Sequence, residues 1–234
     1  MSSTRLPGKV LLSIGTKTML EWVVTRVRRS TSIDEVVIAT TTESSDEAIV
    51  AECKRLGAAC HRGSELDVLD RYYNAATARD ADVVIRITSD CPFIDPREID
   101  RIAQGFRASS PDYASNCMAP GYLRGLDAEI MTMESLARAW REAPHGYHRV
   151  HVTPYIYQNP LRFRLLAVPP MSERDFSSLR WTVDTQEDLD MVRALAGELS
   201  GDAFGWQEAL ATLEKRPNLA KINGHIRQKQ LEEG

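Results

Sequence analysis

Asp82-Val83-Val84-Ile85-Arg86-Ile87-Thr88-Ser89-Asp90 is the stretch on which the fold turns. Four of its first six residues are β-branched, and the run ends in a Ser-Asp pair. A short apolar run of this kind, bounded by polar residues, reads as a buried strand. Asp90 then stands just past the carboxyl end of that strand.

Outward from it, the chain alternates. Residues 19–27 carry Leu20, Val23, Val24 and Val27 at helical spacing, with Arg26, Arg28 and Arg29 toward the far end, where cations suit a helix terminus. Glu35-Val36-Val37-Ile38-Ala39-Thr40 is a second buried strand. Ser45 or Asp46 can cap a helix running through Ile49, Val50 and Cys53. A brief extended piece follows at 60–63, and residues 67–79 are helical again. Strands separated by helices of this length predict βαβ units and a mainly parallel sheet, which binds ligands outside the carboxyl ends of its strands.

After Pro96, which opens a helix through Ile99, Ile102 and Phe106, the pattern changes. Strands are expected at 112–116, 127–132, 163–168 and 179–183, and helices at 133–142, 150–157 and 185–199. Residues 111–170 read as an insertion of mixed structure covering the ligand edge. From Ser200 the chain is polar and is expected to form a small helical tail, dividing it into a domain at 1–200 and a tail at 201–234.

The composition narrows the function. The chain has 234 residues, of which 43% are hydrophobic and 26% charged, enough for one sizeable domain. A net charge of −4 offers no basic footprint for nucleic acid. No apolar run approaches the ~20 residues of a membrane span. Cys53, Cys60, Cys91 and Cys117 form no CxxC pair, so neither zinc nor a disulfide framework is indicated, and a cytoplasmic location is expected.

Three sets of residues could carry chemistry. Ser2-Ser3-Thr4-Arg5-Leu6-Pro7-Gly8-Lys9 places hydroxyls and two cations around a Pro-Gly turn, a loop able to hold a polyphosphate; read without context it is a basic terminus. Asp90 could hold Mg²⁺, which takes one or two carboxylates and leaves the rest to water and phosphate; alone it is as well read as a turn-former or helix cap. Asp184, in Arg180-Trp181-Thr182-Val183-Asp184-Thr185-Gln186-Glu187-Asp188, again follows a strand, and Asp184 or Thr185 could simply cap the next helix.

Together these stretches resemble the cytidylyltransferases that make CMP-sugars. The closest group is the spore coat polysaccharide biosynthesis type, beside the 3-deoxy-manno-octulosonate (KDO) and acylneuraminate enzymes. The first loop is similar to the nucleotide loop S-T-R-L-P-G-K. The segment around Asp90 resembles G-D-x-P-hydrophobic-I, with Ser89 in place of Gly. The segment around Asp184 resembles W-T-V-D-T-x-E-D-L. Gly125-Leu126-Asp127-Ala128-Glu129 matches G-L-D-x-E, and the segment around His151 resembles R-E-H-V-T-P-Y, with Val150 where relatives have Glu.

The resemblance implies a nucleotide-diphospho-sugar transferase-like fold and transfer of CMP from CTP to a sugar or sugar acid, with release of pyrophosphate. It implies Mg²⁺ on Asp90 and Asp184, and Arg5 and Lys9 on the leaving pyrophosphate. The nucleotide would be held by Ser3, Thr4, Arg5, Gly8, Lys9, Arg71 and Ser89. The acceptor would meet Arg124, Asp127, Glu129, Arg149 and His151. Neither nucleic acid nor a membrane is expected as a partner; a homodimer is. A glycosyltransferase and a non-catalytic nucleotide-binding module are the rival readings. In the family a strand precedes the nucleotide loop at the sheet's centre. A gap is therefore expected there, together with roughly ten further apolar residues encoded upstream, a strand's length.

Overall fold

A computed structural model describes residues 1, 3–170 and 172–229. The loop at the amino end closes through a single 3-10 turn at Lys9–Leu11. A two-residue hairpin, β1 (Ser13–Ile14) with β2 (Lys17–Thr18), leads into α1 (Met19–Val27), whose N-cap Thr18 accepts from the Glu21 N–H. Then come β3 (Val37–Thr41), α2 (Glu47–Arg55), β4 (Ala59–Gly63) and α3 (Val68–Thr77). They are followed by β5 (Val83–Arg86), α4 (Pro96–Ser109), β6 (Tyr113–Ser115), β7 (Glu129–Thr132) and α5 (Met133–Glu142). The rest is α6 (Tyr147–His151), α7 (Pro154–Tyr157), β8 (Leu165–Ala167), α8 (Gln186–Gly197) and α9 (Trp206–Lys215).

β3 and β4 pair in parallel; β5, β7, β6 and β8 form a four-stranded sheet in that order. In it β5, β6 and β8 run one way and β7 runs against them, because β7 pairs antiparallel with both β5 and β6. The register aligns Arg86, Glu129, Ser115 and Ala167 in one row across the sheet, so one edge carries the carboxyl ends of three strands and the start of β7. This is the nucleotide-diphospho-sugar transferase-like α/β architecture expected from the sequence.

The expected gap is also present. β3 and β5 belong to different sheets, and a cavity of about 900 Å³ separates their facing edges, lined by Val37, Ala39, Val83, Ile85, Tyr72 and Phe106 among others. It explains why two runs read as buried strands are only half-buried: Val37, Ile38 and Ala39 lack full cover, and Val83 is 45% exposed.

Two element readings are corrected. Residues 150–157 form two short helices rather than one. Val152 between them has φ +73°, a left-handed conformation that stops the first helix. Residues 179–183 form no strand; Arg180 makes an isolated parallel bridge with Arg124. The Trp181 N–H donates to the Arg124 carbonyl (2.9 Å) and the Val183 N–H to the Asp90 carbonyl (2.8 Å), so this backbone is bonded to two loops. The carboxyl-terminal segment is packed into the main core: Phe204, Trp206, Ala209 and Leu213 lie in one apolar cluster with Phe93, Trp181 and Val183. Among the described residues no helix is long and apolar enough to cross a membrane.

Candidate active site

Neither candidate aspartate serves as a helix cap. Thr185 caps α8 and forms a capping box with Asp188; Asp95 caps α4. Asp184 and Asp90 keep their carboxylates for something else, and the Val183–Asp90 backbone bond draws the two chain segments together. Both then point at one cation. The Lys9 Nζ donates to Asp184 Oδ1 (2.8 Å), Asp90 Oδ2 (2.9 Å) and the Val183 carbonyl (2.8 Å). The two carboxylate oxygens are thus at most 5.7 Å apart, the sum of their distances to the ammonium.

The loop supplies a second cation. Arg5 Nη2 lies 3.1 Å from Asp184 Oδ2. Arg180, almost fully buried, donates to the same oxygen. Burial alone would push the Asp184 carboxyl up, but Lys9, then Arg5 and Arg180, outweigh it and hold it below the usual carboxylate range. Burial likewise works against the Lys9 ammonium, and the charges of Asp90 and Asp184 overcome it and raise its pKa.

The rest of the loop is shaped for its position. Gly8 takes φ +67°, where a residue with a Cβ is strained, and the Ser3 hydroxyl accepts from the Leu6 N–H (3.3 Å). Thr4 sits in the same turn, and Ser89 in the turn before Asp90. Arg71 reaches back to the Ser64 carbonyl (2.7 Å) and packs on Gly63; its buried Nε has no protein partner.

The residues expected on the acceptor side are spread along the sheet edge. Asp127 accepts from the Tyr122 hydroxyl (2.6 Å), the Gly125 N–H (2.5 Å) and the Cys117 thiol (3.4 Å). Glu129 is buried, taking the Tyr113 and Thr153 hydroxyls on one oxygen (2.6 Å each) and Arg86 on the other. Arg149 donates to Asp67 (2.6 Å) and the Trp140 carbonyl (2.9 Å), tying α6 to α3 and α5. The Arg124 guanidinium lies over the Tyr122 ring, and half-buried His151 ends α6. Arg180, Asp188, Asn223 and Gln228 had no role in the sequence reading. Arg180 lies inside a quoted motif, but its partners Asn223 and Gln228 are 43 and 48 positions away, beyond any local pattern.

The donor set about Lys9 consists of two carboxylates and a carbonyl, all oxygen. That suits a hard divalent cation, with the ammonium as a stand-in for it. Among the described residues no group of three or more His, Cys, Asp or Glu could hold a metal ion, so a cation here would draw its remaining ligands from water or phosphate.

Comparison with known proteins places the chain in a family. The cytidylyltransferase family model matches residues 1–218. The spore coat polysaccharide biosynthesis protein SpsF of Bacillus subtilis is 34% identical over 228 residues, 94% of this chain and 93% of that one. A 3-deoxy-manno-octulosonate cytidylyltransferase of Chelativorans sp. is 27% identical over 219 residues, 83% of this chain and 81% of that one. The solved structure of a cytidylyltransferase from Leptospira borgpetersenii superposes with a TM-score of 0.89 at 30% identity, covering 98% of this chain and 95% of that one. The chain therefore belongs to the cytidylyltransferase family and is a nucleotidyltransferase.

Proposed function

We propose that the protein transfers CMP from CTP to a sugar or sugar acid in surface polysaccharide or glycan synthesis, releasing pyrophosphate. The observation that carries this is Lys9, delivered by the amino-terminal loop into the space between Asp90 and Asp184. A loop cation seated between two carboxylates is placed to pass to a triphosphate when one arrives. The names of the spore coat and KDO relatives support the substrate class.

In this reading an acceptor hydroxyl attacks the α-phosphorus of CTP in line. The new O–P bond forms as the bond from the α-phosphorus to the bridging oxygen breaks; pyrophosphate leaves with that electron pair and the hydroxyl proton goes to solvent. Lys9 and Arg5 neutralise the leaving pyrophosphate, and the loop's backbone around Ser3, Thr4 and Gly8 cradles it. Arg71 and Ser89 border the nucleotide, while Arg124, Asp127, Glu129, Arg149 and His151 face the acceptor side. Mg²⁺ held by Asp90 and Asp184 would supply neutralisation of the charge growing on the α-phosphate. The protein's work is positioning and neutralising.

Pyrophosphate release from CTP, screened against sugar acids and amino sugars, tests the reading. Turnover in the parent and a loss of ~10²-fold or more in Asp90→Asn and Asp184→Asn is the expected result. The gap between β3 and β5 favours one rival, a non-catalytic nucleotide-binding module. CTP binding without pyrophosphate release in the presence of any acceptor would establish that rival. A glycosyltransferase would normally present a D-x-D metal motif, and the corresponding residues here are Ser89-Asp90-Cys91.

A further inference from the structure

Arg180 is 7% exposed, and each of its polar groups has an acceptor. Its Nη2 donates to Asp184 Oδ2, its Nε to Asp188 Oδ1 (3.0 Å), and its Nη1 to Gln228 Oε1. Asn223, 3% exposed, donates through Nδ2 to both the Arg180 carbonyl (2.9 Å) and Asp188 Oδ1 (2.8 Å). The other oxygen of Asp188 accepts the N–H groups of Asp184 (3.0 Å) and Thr185 (3.1 Å). Both the backbone and the carboxylate of Asp184 are therefore held by groups that residues 223 and 228 hold in turn.

Upstream of residues 223 and 228, residues 202–206 are bonded to the loop that follows the other carboxylate. Arg26, wholly buried, donates to the carbonyls of Ile94 (2.7 Å), Asp202 (2.6 Å) and Phe204 (2.9 Å). Asp95, five residues after Asp90, accepts the Trp206 N–H (2.8 Å).

We propose that residues 223–228 act as a positioning brace for the active site: Asn223 and Gln228 fix Arg180, and Arg180 fixes Asp184 with Oδ1 turned toward Lys9 and Oδ2 turned away. Partners one step removed from a reacting group set its orientation, and their loss commonly costs 10- to 100-fold in metal affinity or activity. A guanidinium suits this task because its planar fork bonds two carboxylates and an amide at fixed angles, which an ammonium cannot do. The brace rests on the proposed role of Asp184, and the test separates the two.

The full chain is prepared as Gln228→Ala, Gln228→Glu, Asn223→Ala, Arg180→Lys and Asp184→Asn. Mn²⁺ binding to the free protein is read by electron paramagnetic resonance, alongside thermal unfolding and the Mg²⁺ concentration needed for half-maximal CTP turnover. Gln228 is only half-buried, so Gln228→Ala should unfold near the parent's temperature while binding Mn²⁺ ~10-fold more weakly and needing more Mg²⁺. Gln228→Glu keeps an acceptor for Nη1 and should restore most of that loss; Asn223→Ala and Arg180→Lys should follow Gln228→Ala. If Asp184→Asn abolishes Mn²⁺ binding while Gln228→Ala and Asn223→Ala only lower the melting temperature, the brace is overturned and the role of Asp184 stands. If Asp184→Asn binds Mn²⁺ and turns over CTP like the parent, the role of Asp184 is overturned and the brace with it.

Discussion

Lys9 and Asp184 stand 175 positions apart in the chain and 2.8 Å apart in space. Asp90 is 2.9 Å from the same ammonium. With Lys9 removed, two carboxylates would face each other across at most 5.7 Å, with Arg5 and Arg180 as the remaining cations on Asp184 among the described residues. Lys9→Ala should therefore weaken CTP binding and lower kcat/KM for CTP by ~10²-fold, the scale of losing one charge-stabilising donor. The acceptor KM should move little. Lys9→Arg should recover only part of the loss, since a planar guanidinium cannot reproduce three donors from a point charge. Steady-state kinetics with both substrates varied checks this; an unchanged CTP titration in Lys9→Ala would remove the loop from the site.

Gly125 has φ +103°, and a Cβ built there would lie 2.7 Å from the Trp181 carbonyl carbon and 2.9 Å from the Thr182 nitrogen. Both are backbone atoms in the segment that carries Asp184, so neither can yield without moving the site. Gly125→Ala combines backbone strain with overpacking and should destabilise by about 2–4 kcal/mol. Urea unfolding measures it, and a loss under ~0.5 kcal/mol would show that the two segments are not in contact.

Asp202 joins the carboxyl-terminal segment to β2 and the turn after α1 through Lys17 (2.5 Å) and Arg29 (2.5 Å). Burial pushes its carboxyl up, but these cations prevail and bring it from 3.8 down to about 2. A depressed folded-state pKa gives stability that is complete above the unfolded value and is lost as pH falls through the folded one. The difference in urea midpoint between the parent and Asp202→Asn should be constant above pH 4 and close toward pH 2. A difference that persisted at pH 2 would mean that the contribution does not depend on this charge.

The chemistry was more legible than the architecture. Lys9, Asp90 and Asp184 each sit in a short motif whose residue types suit a polyphosphate or a metal, and the two aspartates were expected at one ion; Lys9 between them was not foreseen. The strand read at 179–183 did not form, because its N–H groups are bonded to Arg124 and Asp90, loop residues far away in sequence. The polar impression of residues 201–234 hid Trp206, Ala209 and Leu213, whose spacing of three and four is that of a buried helix face. Gln228 left no signal at all: an amide that bonds an arginine in the folded state looks like any surface amide in a sequence.

The split sheet makes its own prediction. The β3–β4 ladder continues from the Thr42 N–H to the Gly63 carbonyl, so by alternation Val37 and Ala39 turn their N–H groups away from β4. On β5 the Met133 N–H bonds the Asp82 carbonyl, so Val83 and Ile85 turn theirs away from β7. All four residues line the cavity. Their amides should exchange with deuterium much faster than those of Ile38, Thr40 and Val84, which lie in the ladders. Residue-resolved hydrogen exchange decides this, and uniform protection along both strands would mean that something pairs with these edges.

The last prediction concerns the acceptor. Thr153 Oγ1 bonds Glu129 Oε1 at 2.6 Å, fastening the chain just after α6 to the sheet edge where three strands end. Between that anchor and His151 stands Val152, fully buried at φ +73°, a strained conformation for a β-branched residue. Strain of this kind persists only where the surroundings over-determine it, and here it fixes the direction in which α6 delivers His151. Glu129 is held by Tyr113, Thr153 and Arg86, whereas half-buried His151 ends α6 on the side proposed for the acceptor. His151→Ala should raise the acceptor KM or lower kcat with the CTP KM nearly unchanged, by about 1.5–3 kcal/mol, the value of a hydrogen bond to a charged group. Glu129→Gln should instead lower the melting temperature and affect both substrates together, since it weakens the edge itself. Bisubstrate kinetics and thermal unfolding of the two variants distinguish these patterns. A His151→Ala enzyme altered only in its CTP parameters would move the acceptor away from α6.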